Sequence, residues 1–304
     1  MFRARLALFL TLMLTACGPD RDVAPFTDVR LPPNLAPRFW APDGWAWGLV
    51  RMRGKPALRY GVVAPPGMNA GQVVIMTGYG ETAEGWFETA RDLVARDYSV
   101  WVIEAAGQGG SGRYKAPRDL GRAPDFEADI DCVRALVGGI MRPKAGESIS
   151  LIASGAAAPA AIAAVARGLP VRNLVLSHPG DAAVPAGQAG WVRPKDTASM
   201  TQRQRDQLGW VLANPDLRMG GPTPGWRAAW SSLNSQTASA GFRSRVKAEV
   251  TILSPDAKSR DCAGFIHCRP DAIASIPAYQ LGEDSARQTW LVALLSAVAP
   301  DHGA

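Results

Sequence analysis

The stretch SISLIASGAAAPAAIAAVA, residues 148–166, decides the fold of this chain. It begins with the apolar run 149–153, which is typical of a strand buried on both faces. A sharp turn of small residues follows, and the alanine-rich segment after it favours a helix. A tight strand-to-helix turn lifts one side chain above the edge of a sheet. The stretch therefore predicts an α/β fold with a site at the carboxyl end of this strand.

The rest of the chain alternates short Val/Ile/Leu-rich runs with helical patterns. The predicted strands are 58–64, 72–77, 98–103, 149–153, 172–177 and 249–254, and the predicted helices lie near 82–96, 125–142, 157–167 and 284–298. Near-continuous apolar runs suit parallel strands that are covered on both faces. The alternation predicts a doubly wound, mostly parallel sheet with binding sites at the carboxyl ends of its strands.

The run from 181 to 247 interrupts this alternation and is rich in Pro, Gly and Trp. It is too long for a simple connection, so it predicts an inserted helical cap over the sheet. The predicted core is then divided between residues 45–180 and 248–300. Residues 17–44 carry many prolines without periodicity, which predicts a tether that becomes a loop on the domain surface.

The first residues resemble a bacterial lipoprotein signal. Two arginines precede an apolar run over 6–14, which is too short for a stable transmembrane helix. The run ends in Leu14-Thr15-Ala16-Cys17, which resembles the lipobox, where cleavage before the cysteine leaves that residue to carry lipid. The alternative is ordinary signal cleavage, with Cys17 an incidental thiol. We expect residues 1–16 to be removed and Cys17 to anchor the protein in the bacterial cell envelope, facing the periplasm, in either membrane.

Removal of the signal leaves 288 of the 304 residues, enough for one large α/β domain with an insertion. Apolar residues make up 47% of the sequence and charged residues 20%, which is typical of a globular chain. The formal charge of +6 falls to +4 without the two signal arginines. No basic run interleaved with aromatic residues is present, so we expect no nucleic-acid partner and only weak attraction to anionic lipid headgroups.

The remaining cysteines predict one disulfide and no metal site. Cys132 lies in a helical pattern and is expected to be a buried thiol. Cys262 and Cys268 bracket a short loop, which predicts a disulfide in an oxidising compartment. A metal would need more ligands than His267 offers there. The glycines of 107–112 match G-x-G-x-x-G, but no helix starts where a dinucleotide site requires one, so we expect no cofactor.

Three blocks together resemble the lysophospholipase and monoacylglycerol-lipase branch of the α/β-hydrolases, a serine-aminopeptidase-like group. VVIMTGYGETAEGWFETARDLVARDYSVWVIE (73–104) resembles that family's strand, oxyanion loop, helix and following strand. EAAGQGGSGRY (104–114) resembles its D-x-R-G-x-G-x-S turn, and SISLIASGAAAPAA (148–161) resembles its F-L-x-G-H-S-M-G-G elbow. The resemblance implies an α/β-hydrolase fold built around a nucleophile, a base, an acid and an oxyanion hole.

The resemblance places the oxyanion donors on the main-chain N–H groups of Tyr79 and Ala156. The family's G-x-S-x-G is absent, and two alignments of the turn are open. With Ser154 as nucleophile, the β-branched Ile152 stands where the turn normally holds glycine, and it should clash. The other alignment puts Gly155 at the tip, and glycine tolerates the positive φ that the tip needs. The second alignment is favoured, and it leaves no nucleophile at the tip.

The base is also missing from its usual position. The family places its histidine in a loop before the last helix, where this chain has Gln280, which cannot act as a general base. His267 follows the strand 249–254 and is expected on the correct edge of the sheet, so it could be a relocated base. Asp256 or Asp261, after the same strand, could be the acid, although aspartates are common in such loops.

Two hypotheses follow from these residues. The first is a membrane-anchored α/β-hydrolase fold with little or no serine-hydrolase activity, which keeps a pocket for a lipid-like or acyl-ester ligand or a surface for a partner protein. The alternative is an active carboxylic-ester hydrolase with Ser154 as nucleophile, His267 as base and Asp256 or Asp261 as acid. Loss of one triad member lowers the rate by orders of magnitude, because the triad acts as a unit.

Overall fold

The structure is a computed structural model that describes residues 22–180, 184, 186–187, 189–273 and 282–299. The signal segment 1–16, Cys17 and Gln280 lie outside the described residues. No helix in the described part of the chain is long and apolar enough to cross a bilayer.

One sheet of eight strands forms the centre of the molecule. The strands are β1 (Ala46–Val50), β2 (Leu58–Val63), β3 (Gly71–Met76), β4 (Tyr98–Ile103), β5 (Ile149–Ser154), β6 (Asn173–Ser177), β7 (Glu249–Ser254) and β8 (Cys268–Ala272). Their order is β1-β2-β4-β3-β5-β6-β7-β8. β2 is antiparallel to both of its neighbours, β1 and β4. The six strands β4, β3, β5, β6, β7 and β8 are parallel to one another. The predicted doubly wound, mostly parallel sheet is confirmed.

Both strands that the sequence did not predict lie at the edges of the sheet. β1 (AWGLV) is half-buried, and β8 (CRPDA) is polar and contains a proline. An edge strand has one side without a neighbouring strand, so it tolerates proline and needs no continuous apolar run. The pattern that identified the six inner strands is therefore missing from these two.

Helices cover both faces of the sheet. They are α1 (Phe87–Val94), α2 (Glu127–Ala135), α3 (Ala158–Ala166), α4 (Gln202–Ala213), α5 (Pro224–Ala238), α6 (Ala240–Arg243) and α7 (Asp284–Val298). α1 and α7 share one apolar cluster with the sheet, and α2 and α3 share the cluster on the opposite face. The helices α4 to α6, called the cap below, follow β6 and precede β7.

β5 and α3 form the most completely buried part of the core. Along β5, Leu151 and Ala153 join the cluster on the α3 face, and Ile152 joins the cluster on the opposite face. This alternation is the period-two pattern of a strand covered on both sides. α3 is buried from Ala158 to Val165, because its small residues allow close approach to the sheet. The strand before this turn and the helix after it are therefore both packed in the core.

The first described residues are bound along the surface of the domain. Arg118 Nη1 donates to the carbonyl of Ala24 at 2.8 Å, and the N–H of Arg113 donates to the carbonyl of Val23 at 2.8 Å. The Arg118 guanidinium also lies 4.9 Å from the centre of the Phe26 ring. The chain is thus fixed to the domain from its first few described residues.

Candidate functional site

The turn after β5 has glycine at its tip. Ser154 is the last residue of β5 and is extended, with φ −87° and ψ 126°. Gly155 has φ +50°, the left-handed conformation that an elbow tip requires, and α3 begins at Ala158. A nonglycine residue at this φ costs about 1–3 kcal/mol. Gly155, and not Ser154, therefore has the positive φ expected of the residue at the tip of the turn.

The Ser154 side chain is tied to a carboxylate. Ser154 is only 4% exposed, and its Oγ donates to Glu81 Oε1 at 2.7 Å. Glu81 Oε2 accepts from the N–H of Gly78 at 2.8 Å and from Trp86 Nε1 at 3.2 Å. Glu81 thus connects the oxyanion loop to the end of β5. The sequence analysis did not single out Glu81, although it stands in the TGYGE block that carries the resemblance.

Both residues expected to supply oxyanion donors line one pocket beside the elbow. Tyr79 and Ala156 meet there with Phe126 and Trp226, and most of the other lining residues are apolar. The space left for water-sized spheres is about 20 Å³, which is room for a single water molecule. The aromatic side chains therefore fill most of the site in this conformation.

The cap is fastened directly to the elbow. Trp230 Nε1 donates to the carbonyl of Ala156 at 2.8 Å, and its ring lies parallel to that of Trp226. The Tyr79 ring meets Trp226 edge-on at 4.9 Å, and its hydroxyl donates to the carbonyl of Gly220 at 3.0 Å. Burial raises the pKa of Tyr79, so the phenol stays protonated and keeps donating. Trp226 of α5 thus lines the pocket, and Trp230 of the same helix packs against it.

Asp129 is a buried acid on the wall of the same pocket. Its Oδ1 accepts from the N–H of Ala106 at 2.9 Å. Burial raises the pKa of Asp129 to about 7, because the charged form loses its hydration. The carboxyl group is therefore largely protonated below neutral pH. The helical pattern that contains Asp129 gave no sign of this role.

A buried ion cluster supports the pocket from below. Arg59 is fully buried and binds Glu104 with two hydrogen bonds, of 2.8 Å from Nε and 2.6 Å from Nη2. Its Nη2 also donates to Glu84 at 3.0 Å, and the guanidinium lies 4.2 Å from the centre of the Trp47 ring. Burial raises the pKa of Glu84, while Arg59 opposes that shift. One cation therefore compensates two buried carboxyl groups.

The prediction that His267 lies on the correct edge of the sheet was wrong. His267 immediately precedes β8, whose first residue is paired with Val250 near the start of β7. Its side chain is 54% exposed, and its Nδ1 lies 3.8 Å from Glu249 Oε1. Counted through the strand pairing, His267 is three strands and four residues away from Ser154, roughly 20 Å. His267 cannot act as a base toward Ser154 from this position.

The two candidate acids do follow β7 on the carboxyl edge, but within the described residues neither is hydrogen-bonded to a histidine. Asp256 stands two residues beyond the end of β7, beside a groove between α3 and α5. Asp261 accepts from the N–H of Lys258 at 2.8 Å and so closes a local turn. The structure therefore does not bring together Ser154, His267 and either aspartate.

The histidine that does stand on the elbow's edge is His178, directly after β6. It has φ +52°, and its N–H donates to the carbonyl of Leu253 at 2.7 Å, which extends the pairing of β6 with β7. Among the described residues, the hydrogen-bond acceptor for the Ser154 hydroxyl is Glu81. The Ser154 proton is therefore not directed at an imidazole.

Cys262 and Cys268 form a disulfide that closes the loop before β8. Cys132 is a free, buried thiol, and burial raises its pKa to about 12. No cluster of three or more His, Cys, Asp or Glu residues able to hold a metal occurs within the residues that the structure describes.

No family model matches the sequence, and no curated protein matches it. Solved structures do match the fold. A highly thermostable carboxyl esterase from Bacillus coagulans, solved with glycerol, superposes with a TM-score of 0.65 at 10% identity, over 83% of this chain and 97% of the esterase. A thioesterase domain from the curacin biosynthetic pathway gives 0.54 at 15% identity, over 83% of this chain and 100% of that domain.

A membrane phospholipase A, described as a bacterial virulence factor, gives a TM-score of 0.53 at 14% identity, over 84% of this chain and 87% of the phospholipase. These similarities, together with the strand order and the elbow between β5 and α3, define the fold as that of the α/β-hydrolases. At such low identities the likeness concerns the fold alone.

Proposed function

We propose that this protein is a membrane-anchored α/β-hydrolase-fold lipoprotein without serine-hydrolase activity, which binds an acyl-ester or glycerolipid-like ligand at the retained pocket. The observation that carries the proposal is the backbone at the elbow. Gly155 occupies the tip with φ +50°, and glycine has no side-chain atom that could attack an ester.

The neighbouring serine does not compensate for the glycine. Ser154 is buried at the end of β5 and directs its hydroxyl proton to Glu81. The carboxylate of Glu81 already accepts two further hydrogen bonds, from Gly78 and Trp86. The group that accepts the Ser154 proton is therefore a carboxylate and not the imidazole that the family's triad uses. His267, the base that the alternative hypothesis requires, faces the opposite edge of the sheet.

The composition of the pocket wall favours the binding of a ligand without its hydrolysis. Its wall combines apolar side chains with the main chain of Tyr79 and Ala156, where an α/β-hydrolase would hold an ester carbonyl. The narrow space inside requires the Trp226 ring to move before an acyl group enters. Trp226 Nε1 has no hydrogen-bond partner in the described part of the chain, so a ligand oxygen would satisfy it.

Anchoring at a membrane is the other part of the proposal. The lipobox-like sequence at residues 14–17 supports lipidation of Cys17 and export to the bacterial envelope. A disulfide between Cys262 and Cys268 is in keeping with an oxidising compartment. A protein held at the envelope would meet lipid-derived acyl compounds at high local concentration.

A fluorophosphonate probe tests the absence of catalysis. Purified wild-type protein and the matched variant Ser154→Ala are incubated with the probe, and hydrolysis of p-nitrophenyl butyrate is measured in parallel. We expect no covalent labelling and the same background hydrolysis for both proteins. Labelling of the wild type that disappears in Ser154→Ala would establish the active hydrolase instead.

Fluorescence tests the binding. A short glycerolipid such as monobutyrin is titrated into the protein, and we expect a saturable change in tryptophan emission because Trp226 lines the pocket. The variant Trp226→Phe should lose most of the change, whereas Trp40→Phe, which replaces an exposed ring, should keep it. An unchanged signal at millimolar monobutyrin, with calorimetry also showing no heat of binding, would reject this ligand class.

A further inference from the structure

The loop Gly190–Lys195 carries an exposed apolar side chain among basic residues. Val192 is 70% exposed, and Arg193 and Lys195, on either side of Pro194, are exposed as well. The guanidinium of Arg218 lies 4.6 Å from the centre of the Trp191 ring, so an aromatic and a further cation flank the loop. An apolar residue surrounded by cations and an aromatic ring is typical of segments that lie at a membrane surface.

This loop is fixed to the domain. The N–H of Trp191 donates to Asp119 Oδ2 at 2.8 Å, and the N–H of Gly220 donates to the carbonyl of Asp119 at 2.6 Å. A third bond joins the N–H of Gly221 to the carbonyl of Ala189 at 2.8 Å. The position of the loop relative to residue 119 is therefore defined by backbone hydrogen bonds.

The N-terminal segment is held by the residue next to Asp119. Arg118 donates to the carbonyl of Ala24, so the chain leaves the domain beside the Gly190–Lys195 loop. Only five residue steps separate Cys17 from Asp22, where the described chain begins. Five residues span at most about 18 Å when fully extended. If Cys17 carries lipid, this side of the domain lies close to the bilayer.

We propose that the Gly190–Lys195 loop, together with Arg218, rests on the anionic lipid surface of the membrane that holds the anchor. The inference rests on the proposed lipidation for the direction in which the domain faces. Two acids adjoin the loop: Asp119 accepts from the N–H of Trp191, and Asp196 Oδ1 accepts from the N–H of Ala198 at 2.8 Å. Arg193 and Lys195 are exposed, whereas Arg218 Nε donates to the carbonyl of Val211 at 3.1 Å, so the two exposed cations make the main contact with lipid phosphates.

This orientation turns the cap toward the bilayer. α5 begins at Pro224, a few residues after Gly220 and Gly221, which are bonded to the loop. Trp226, which lines the pocket, belongs to the same helix. A ligand that leaves the bilayer would reach the pocket without crossing the aqueous phase over a long distance.

Vesicle binding without the anchor tests the proposal. The Cys17→Ser variant, exported behind an ordinary cleavable signal peptide, is sedimented with vesicles of phosphatidylcholine alone or mixed with phosphatidylglycerol. We expect binding to the phosphatidylglycerol vesicles, weakened by high salt. Each basic residue at the surface contributes about a fivefold increase in affinity, so Arg193→Gln with Lys195→Gln should weaken binding by about 25-fold.

Further variants separate the loop from the rest of the surface. Val192→Asp should weaken the binding to phosphatidylglycerol at least as much as removal of one basic residue. Met68→Asp is the matched control, because Met68 is 86% exposed but precedes β3 on the amino edge of the sheet. Equal binding to both vesicle types, or no effect of Val192→Asp and the paired Gln variant, would overturn the proposal.

Lipidation of Cys17 is measured separately, by the mass of the N-terminal peptide of the wild-type protein. An unmodified Cys17 together with loop-dependent vesicle binding would refute the anchor and leave the loop's role in place. A lipidated Cys17 together with no vesicle binding by the anchor-free protein would refute the loop and leave the anchor in place.

Discussion

Two parts of the carboxyl edge of the sheet differ sharply. The part at β3 and β5 is buried and densely hydrogen-bonded, with Glu81 connecting the oxyanion loop to Ser154. The part after β7 is polar and partly exposed, and Asp261 is engaged in a local turn beside a disulfide-closed loop. An α/β-hydrolase needs both parts, because its nucleophile comes from the first and its acid from the second. In this chain the first part has Gly155 at the turn, and the second part has Asp256 and Asp261 on the edge opposite to His267.

The packing of β5 and α3 is sufficient to account for the shape of the turn between them. The small residues of α3 bring it close to β5, and the tip between them needs a residue that accepts positive φ. Glycine satisfies that requirement better than serine does. A nucleophile is needed only for reaction, so a chain with glycine at the turn can keep the same fold. The two parts should therefore differ in what they contribute to the free energy of unfolding and to ester hydrolysis.

Arg59→Met should cost the most stability. The substitution leaves Glu84 and Glu104 buried without their cation, and breaking a buried ion pair on one side costs about 3–5 kcal/mol. Urea unfolding measures the loss. The matched control is Arg134→Met, which removes a surface pair with Asp131 and should change the unfolding free energy by less than about 0.5 kcal/mol. A loss at Arg59 no larger than at Arg134 would show that the cluster does not support the elbow.

The pH dependence of stability should depend on Asp129. Its pKa is raised to about 7 by burial, so the folded state binds this proton more tightly than the unfolded state, whose pKa is near 4. The contribution of Asp129 to the free energy of unfolding is therefore largest at low pH, and it falls as the pH rises toward 7. Between pH 5 and pH 8 the expected loss is about 3 kcal/mol relative to a variant without the titration.

Asp129→Asn is that variant, and urea unfolding of both proteins at pH 5 and pH 8 makes the measurement. Asp43→Asn, at an exposed position, is the control and should keep the wild-type pH dependence. If the unfolding free energies of the wild type and Asp129→Asn change equally between pH 5 and pH 8, the pocket wall is hydrated and the acid remains charged.

The region after β7 should depend on its disulfide. Replacement of Cys262 and Cys268 by serine frees a loop of seven residues, which the chain-entropy relation equates with about 2 kcal/mol of stability. Dithiothreitol should lower the stability of the wild type by a similar amount and leave the double variant unchanged. If reduction costs nothing, this part of the sheet is held by its strand pairing alone.

The sequence was sufficient for the inner part of the fold and insufficient for the site. Strands such as β4 and helices such as α7 were predicted within a residue or two, because a surface buried on both faces or along one side leaves a strong apolar pattern. β8 left no such pattern, so the loop before it was assigned to the wrong edge and His267 with it. Local composition does not predict which distant strands will pair, as Val250 and Cys268 do.

Within the site, the turn after β5 could be predicted from local sequence, and the partners of its residues could not. Sterics of the turn pointed to Gly155, because a β-branched Ile152 does not fit the flanking position. The hydrogen bond of Ser154 to Glu81 joins residues 73 positions apart, and the buried Asp129 accepts from the N–H of Ala106, 23 positions away. Neither feature has a local signature in the chain.

Gly155→Ser should have the smallest effect on stability. It also tests most directly whether a hydroxyl at the turn is sufficient for ester hydrolysis. Serine at φ +50° is expected to cost about 1 kcal/mol, measured by urea unfolding. The variant places a hydroxyl at the tip, next to the main-chain donors of Tyr79 and Ala156. Because Gln280 stands at the family's base position and His267 lies on the opposite edge of the sheet, hydrolysis of p-nitrophenyl butyrate should stay near background. Ser154→Ala in the same assay controls for the neighbouring hydroxyl. Strong ester hydrolysis by Gly155→Ser would mean that the acid and base are still in place and that only the nucleophile was lost.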